Sequence, residues 1–341
     1  MMILVTGGAG YIGAVTVRTL LDKGFAVRVL DKLLFGDSPL DEVRNQVDLV
    51  QGDICTLDDS VLEDISAVVH LAGLSNDPTA EFNPEANRRM NSLATQSLAE
   101  ACKRKGIRRF IFASSCSIYD HGLMAEDVIQ DENSPVQPMA AYALSKFAAE
   151  QALLELTDDQ FQPTILRQGT VYGWSPRMRY DLVVNTFVKS AYETGRLTVH
   201  CGGEMWRPLV DVTDVANCYL ACLEADLKLV GGQIFNVSHK NYRILELAHW
   251  VKKALHGLRD VEIDVQYGSQ QARSYRVNTR KIETVLGFRP VVTVEESARS
   301  MAQKINAGIS ADFNNPRYYN IRWLELLVEI QEHLRRIGSI F

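Results

Sequence analysis

Short apolar runs punctuate the first half of the chain at regular intervals. Ile3–Thr6, Ala26–Asp31, Val47–Gln51, Ala67–Leu71 and Arg109–Ala113 are rich in β-branched residues and bounded by breakers. Each predicts a buried strand. Between them the apolar positions recur at helical spacing, over 12–23 and 87–105 among others. Strand and helix alternating at this pace predict a parallel sheet with right-handed crossovers, a doubly wound α/β fold. Thr164–Arg167 and Ile234–Val237 read as later strands of the same sheet. From about residue 173 the alternation breaks down, with Trp174, Pro176 and Pro208 as punctuation and helical patterns dominating from 244. The expected organisation is a sheet domain over 1–172, to which 211–238 return. A smaller mixed α/β lobe over 173–210 and 239–341 then covers the carboxyl ends of the strands. In the tail, 321–336 puts Leu324, Leu327, Ile330 and Leu334 on one helical face, a packing stripe for this chain or a partner.

Composition narrows the class. With 341 residues, 46% of them hydrophobic and 23% charged, the chain can bury a large core and is not expected to be disordered. The net charge is −6, and the densest basic cluster, Lys103 to Lys105 with Arg108 and Arg109, falls late in a helical pattern where cations suit the dipole. No nucleic-acid partner is expected. Six scattered cysteines with no metal-ligand spacing point to reduced thiols, a cytoplasmic protein and no metal. Cys218 and Cys222 read as core fillers. No stretch is apolar for long enough to span a membrane, and the start lacks the pattern of a signal peptide.

Two segments carry chemistry. Thr6-Gly7-Gly8-Ala9-Gly10-Tyr11-Ile12-Gly13 comes directly after the first strand and opens the first helix. Glycines there let the chain turn sharply and bring backbone N–H groups against a pyrophosphate at a helix N-terminus. Asp31 ends the second strand, 18 residues past Gly13. A carboxylate at that place accepts bonds from adenosine ribose hydroxyls and repels a 2′-phosphate, which favours NAD over NADP, although Lys32 beside it works slightly the other way. Asp53, after the third strand, can meet the adenine or simply cap a turn.

The second segment is Tyr142-Ala-Leu-Ser-Lys146. Residues four apart share a helix face, and an ammonium beside a phenol is expected to lower its pKa and make it a usable base. The segment lies downstream of the Ile111–Ser115 strand end, whose Ser114 and Ser115 hydroxyls can hold a substrate oxygen while Tyr142 takes its proton.

Taken with Asp53-Ile54, His70 to Gly73, Asn91, Phe112 to Tyr119, Leu166-Arg167, Val171 to Gly173, Arg207, Val210 to Val212, Arg273 and Tyr275, these motifs resemble the extended short-chain dehydrogenases/reductases that act on nucleotide sugars. The resemblance runs to about residue 290. It implies a Rossmann domain with a substrate-binding lobe. It implies that Gly7, Gly10, Tyr11, Ile12 and Gly13 hold the NAD pyrophosphate, with Asp31, Lys32, Asp53, Ile54, Leu71, Ala72 and Gly73 along the coenzyme. Asn91 resembles the residue that steadies the backbone beside it. Ser115, Tyr142 and Lys146 become the catalytic set, with Lys146 also on the nicotinamide ribose. Arg207 and Arg273 resemble the diphosphate clamp of the sugar nucleotide, and Ser75, Asn76, Ser115, Cys116 and Thr170 the rest of the substrate contacts. Arg177 and Arg179 add positive charge nearby, for a phosphate, for an acidic sugar, or as a solvated loop. A homodimer is expected by the same analogy.

The two residues after Ser115 bear on the reaction. Family 4,6-dehydratases place Asp-Glu there, decarboxylases a Glu at the second place, and 3,5-epimerase branches a Cys at the second place. This chain has Cys116-Ser117. Cys116 is either a catalytic thiol shifted by one or a buried one. A nucleotide-sugar epimerase working at C4 needs only Tyr, Lys, Ser and NAD. A keto-sugar-nucleotide reductase or dehydrogenase and a non-catalytic NAD-binding subunit are the alternatives.

Overall fold

The computed structural model of the protein describes residues 1–120, 128–268 and 274–338. Seven strands form the central sheet: β1 (Met2–Thr6), β2 (Ala26–Asp31), β3 (Val47–Gln51), β4 (Ile65–His70), β5 (Arg109–Ser115), β6 (Gln162–Gln168) and β7 (Ile234–Val237). All pair in parallel, in the order β7-β6-β5-β4-β1-β2-β3. This is the doubly wound α/β arrangement. Alternation along the strands explains its layers. Ile3 and Val5 of β1 bury into one core with Val27, Val29 and Val69, while Leu4 between them buries into another with Val68, Phe110 and Phe112.

A third core lies outside the sheet. It joins Tyr172, Met178, Val184, Phe187 and Leu197 to Leu247, Val251, Ala298 and Met301. Around it sit a three-stranded sheet (Lys240–Arg243, Trp206–Asp211 and Thr170–Tyr172) and a two-stranded one (Glu262–Val265 with Arg196–Val199). These strands are short, and the sequence pattern does not separate them from loops.

Two expected helices form, with added detail. The run expected over 87–105 is a short helix, Pro84–Arg88, then a π-helical turn at Arg89–Leu93, then a helix over Ala94–Arg104. The wide turn holds Asn91, whose side chain is bonded to the backbone of Leu74 in both directions, at 2.8 Å each. The tail forms a helix, Asn320–Ile337, but its apolar stripe is not uniformly packed: Ile330 is 50% exposed, whereas Trp323 donates to the carbonyl of Leu34 at 2.6 Å. Cys218 and Cys222 are fully buried, as core fillers should be. Among the described residues no helix is long and apolar enough to cross a membrane.

The strand order reverses between β2 and β4 on either side of β1. Strands that diverge there leave a crevice beyond their carboxyl ends, the place where doubly wound sheets take ligands. Main-chain bonds fix its floor: Gly7 N–H to Leu30 carbonyl at 2.8 Å, Leu71 N–H to Thr6 carbonyl at 3.0 Å and Gly52 N–H to Asp31 carbonyl at 3.0 Å.

Candidate active site

A cleft opens over these strand ends. Its floor is the glycine-rich turn. Gly7 has φ +73°, and a Cβ there would stand 2.7 Å from the Ala72 nitrogen; one on Gly13 would stand 2.1 Å from the Gly7 carbonyl oxygen. Only a chain without Cβ packs this closely. The next helix, Tyr11–Asp22, starts at Gly10 with no side-chain cap among the described residues. The N–H groups of its first turn therefore face the cleft end of the helix dipole, the arrangement that suits a phosphate. A dinucleotide's pyrophosphate fits this cradle.

Asp31 stands at the rim, its carboxylate accepting from the N–H of Ala9 at 2.9 Å and of Leu33 at 2.7 Å. Burial raises its pKa, and those two bonds oppose the rise. The acid thus stiffens the glycine turn as well as facing the cleft. Lys32 and Asp53 pair across the rim at 2.7 Å. Burial works against the charge on Asp53, but the bonds from Lys32 and the Cys55 N–H outweigh it and hold the carboxyl below its ordinary value. Asp53 also caps the short 3-10 turn Ile54–Thr56. Gly7, Gly10, Tyr11, Ile12, Gly13, Ile54, Leu71, Ala72, Gly73 and Ser75 all line the same cleft. Asn91 does not face it. Fully buried, it sits beneath Gly73 and supports the backbone rather than touching a ligand.

Beside this cleft, though not among the residues that line it, β5 delivers Ser115 and the helix Ala141–Glu155 delivers Tyr142 and Lys146, whose Nζ would stand 3.9 Å from a Cβ on the cleft residue Gly73. The Ser115 hydroxyl hydrogen-bonds the Tyr142 side chain. The pKa expectation for Tyr142 is reversed. Burial, with the Asp77 charge adding to it, pushes the phenol up to about 12 against the opposing pull of Arg179 and Ser115. Lys146 does not set it, because its ammonium is engaged elsewhere: it donates to the Ala113 carbonyl at 2.9 Å and lies 4.8 Å from the Phe112 ring centroid. Burial pulls Lys146 down to about 8, and Glu150, one turn further along the helix, resists. Under this pair lies a buried network. Glu150 accepts from Ser114 and from Arg167, and Arg167 donates to Tyr119 at 2.7 Å. It makes the end of β5 rigid.

The sugar-side expectations divide. Cys116 is corrected: it is fully buried, its thiol donates to the Arg167 carbonyl at 3.0 Å, and burial raises its pKa, so it neither lines the cleft nor offers a thiolate. Asn76 is also engaged, capping the helix Asp77–Phe82 through Thr79. Thr170 and Arg207 lie on neighbouring strands, and Arg207 sits 5.5 Å from the ring of Tyr275, a residue whose charge also bears on Tyr142. Arg273 lies outside the described residues. Sequence reasoning missed Phe35, Asn320 and Leu324 as cleft residues and left Arg177 and Arg179 open; both arginines line the cleft. Nothing local marks Asn320, which arrives only through the packing of the C-terminal helix.

Known proteins agree with this geometry. The model of the NAD dependent epimerase/dehydratase family matches residues 3–238. A dTDP-glucose 4,6-dehydratase of Streptomyces niveus is 30% identical over 309 residues, 86% of this chain and 89% of that one. A putative UDP-glucose 4-epimerase of Methanocaldococcus jannaschii is 27% identical over 306 residues, 87% and 96% of the two chains. The structure of UDP-glucuronic acid 4-epimerase from Bacillus cereus, in complex with UDP-glucuronic acid and NAD, superposes with a TM-score of 0.78 at 25% identity, covering 90% of this chain and 99% of that one. By the family model over residues 3–238 and by these similarities, the chain belongs to the NAD dependent epimerase/dehydratase family.

Proposed function

We propose that the protein epimerises a nucleotide-activated sugar, most simply at C4, through a transient 4-keto sugar. Tyr142 takes the proton from the sugar hydroxyl oxygen and later returns it. Ser115, already hydrogen-bonded to Tyr142, holds the same oxygen. Lys146, with its pKa near 8 and so mostly protonated at neutral pH, is assigned to the nicotinamide ribose. Arg207 is assigned to the diphosphate of the sugar nucleotide, where a guanidinium fork suits phosphate oxygens. NAD, when bound, supplies the acceptor and then the donor of hydride, and its positive ring favours the phenolate that burial alone disfavours.

One observation carries the choice among family reactions. Beyond the Ser115-Tyr142 pair, the two positions where dehydratases place an acid and a base hold Cys116 and Ser117, both buried and neither a carboxylate. Elimination of water has no proton donor there, while oxidation and re-reduction at one carbon need only the proton that Tyr142 takes and returns. The similarity to a dTDP-glucose 4,6-dehydratase makes the contrast testable. Incubating the purified protein with a panel of UDP- and dTDP-sugars, without added coenzyme, and following products by NMR should reveal two interconverting epimers. A product that has lost water, or turnover only with stoichiometric NAD(H), would overturn the proposal.

A further inference from the structure

Arg177 belongs to the loop between the strand Thr170–Tyr172 and the helix Val183–Glu193, outside the central sheet. It nevertheless lines the same cleft as the glycine turn and Asp31, and it is only 5% exposed. One guanidinium nitrogen donates to the Asn320 side chain at 2.5 Å, and the guanidinium carbon lies 3.7 Å from the ring centroid of Phe35. Its Nε is buried with no hydrogen-bond partner among the described residues. The neighbouring Arg179 is different. It forks onto both oxygens of Asp181, at 2.8 and 2.9 Å, and reaches Ser75 at 3.2 Å.

Arg179 thus takes up Asp181, whereas Arg177 feels the Asp181 and Asp31 carboxylates through space, without a direct ion pair among the described residues. Burial and the charge of Arg179 depress its pKa to about 9, so the cation is strained where it stands. A buried, under-satisfied cation is costly unless something completes its bonds. The cleft it lines is also lined by the glycine turn, whose N–H groups form the phosphate cradle. An anion between the two would satisfy both.

We propose that Arg177 is a ligand of the coenzyme's diphosphate, placed by Asn320 and Phe35 so that the dinucleotide is gripped from the lobe as well as from the sheet. Asn320 opens the C-terminal helix, and Trp323 of that helix is pinned to Leu34 beside Phe35. The far end of the chain thereby becomes part of the coenzyme site. The family match ends at residue 238, well short of it. The assignment holds whichever reaction the enzyme performs.

The test is ligand binding by the full chain, wild type against Arg177→Met and Arg177→Lys. Calorimetry would use NAD⁺, NADP⁺, ADP-ribose and UDP, with melting temperatures taken without ligand. We expect Arg177→Met to weaken NAD⁺ and ADP-ribose together by at least about tenfold. UDP affinity should be unchanged and the ligand-free melting temperature equal or higher, since a strained cation is gone. Arg177→Lys should recover part of the loss. Unchanged affinity for ADP-ribose would overturn the proposal. So would a loss confined to UDP, which moves the residue to the sugar nucleotide, or one confined to NADP⁺, which moves it to the adenosine 2′ position. A lowered ligand-free melting temperature in both variants with all four ligands weakened alike would make Arg177 a structural residue and equally overturn it.

Discussion

The two ends of the site are built by different means. The coenzyme end is made largely of backbone. Gly7 to Gly13 form one unbroken segment whose shape follows from missing side chains, and Asp31 fastens it through two N–H groups. The proposed sugar end is made of side chains carried by separate elements: Ser115 from β5, Tyr142 and Lys146 from a helix, Arg207 from a strand of the second sheet. A backbone cradle tolerates little change but specifies a common ligand. A side-chain cluster can be altered one residue at a time, and this is how one family comes to run several reactions.

Variants at either end should therefore fail differently. The largest effect is expected for Tyr142→Phe. Losing a general base costs on the order of 10³-fold in turnover, and NAD binding should stay intact. A parallel loss of coenzyme affinity would mean that the two ends are not separable.

Lys146→Met comes next, read as stability without coenzyme. The folded protein holds this ammonium near 8 against an ordinary 10.5, so the charged form is penalised only when folded. Below pH 8 the full penalty applies, and above 10.5 it vanishes, so wild-type stability should rise across that window. The penalty is at most about 3 kcal/mol. Denaturant midpoints at about pH 7 and about pH 10 should show the rise in wild type and its absence in Lys146→Met, with the variant more stable at neutral pH. A variant less stable than wild type at neutral pH would show that the bond to Ala113 outweighs the burial of the charge.

Gly13→Ala attacks the other end. Its Cβ would stand 2.1 Å from a backbone oxygen that cannot swing away. A cost of roughly 1–3 kcal/mol in stability is expected, with NAD binding lost. Asp31→Asn should be milder, lowering the preference for NAD over NADP by about tenfold through loss of charged acceptor bonds. Smallest is Lys32→Ala. The Lys32-Asp53 bridge is 45% and 23% exposed, so less than about 1 kcal/mol is at stake, and coenzyme affinity should barely move.

The same contrast explains what the sequence revealed. The strands of the central sheet were legible because each is a continuous buried run, and three of them, β2, β3 and β7, have the expected bounds. The glycine turn was legible because its chemistry is contiguous. The short strands of the second lobe carry no such signal, since their partners lie far along the chain. The helical pattern over 87–105 did not reveal the π-helical turn at Arg89–Leu93, where the Asn91 side chain bonds the backbone of Leu74 from far along the chain. The pKa of Tyr142 was misjudged for a related reason. Spacing put Lys146 on its face, but only three-dimensional packing aimed that ammonium at Ala113. The sequence left Cys116 as either a shifted catalytic thiol or a buried one, and only the fold decides, since its thiol donates to the Arg167 carbonyl of β6.

Central to this reading is that hydride leaves one sugar carbon and returns to it. The most direct measurement uses a nucleotide sugar accepted by the enzyme, deuterated at C4, in the presence of excess unlabelled NADH. Two epimers should form that both keep the deuterium at C4, with none in the free coenzyme. Deuterium at another carbon together with loss of water would make the enzyme a dehydratase, and deuterium washed into the NADH pool would make it a net oxidoreductase. Either result would contradict the claim.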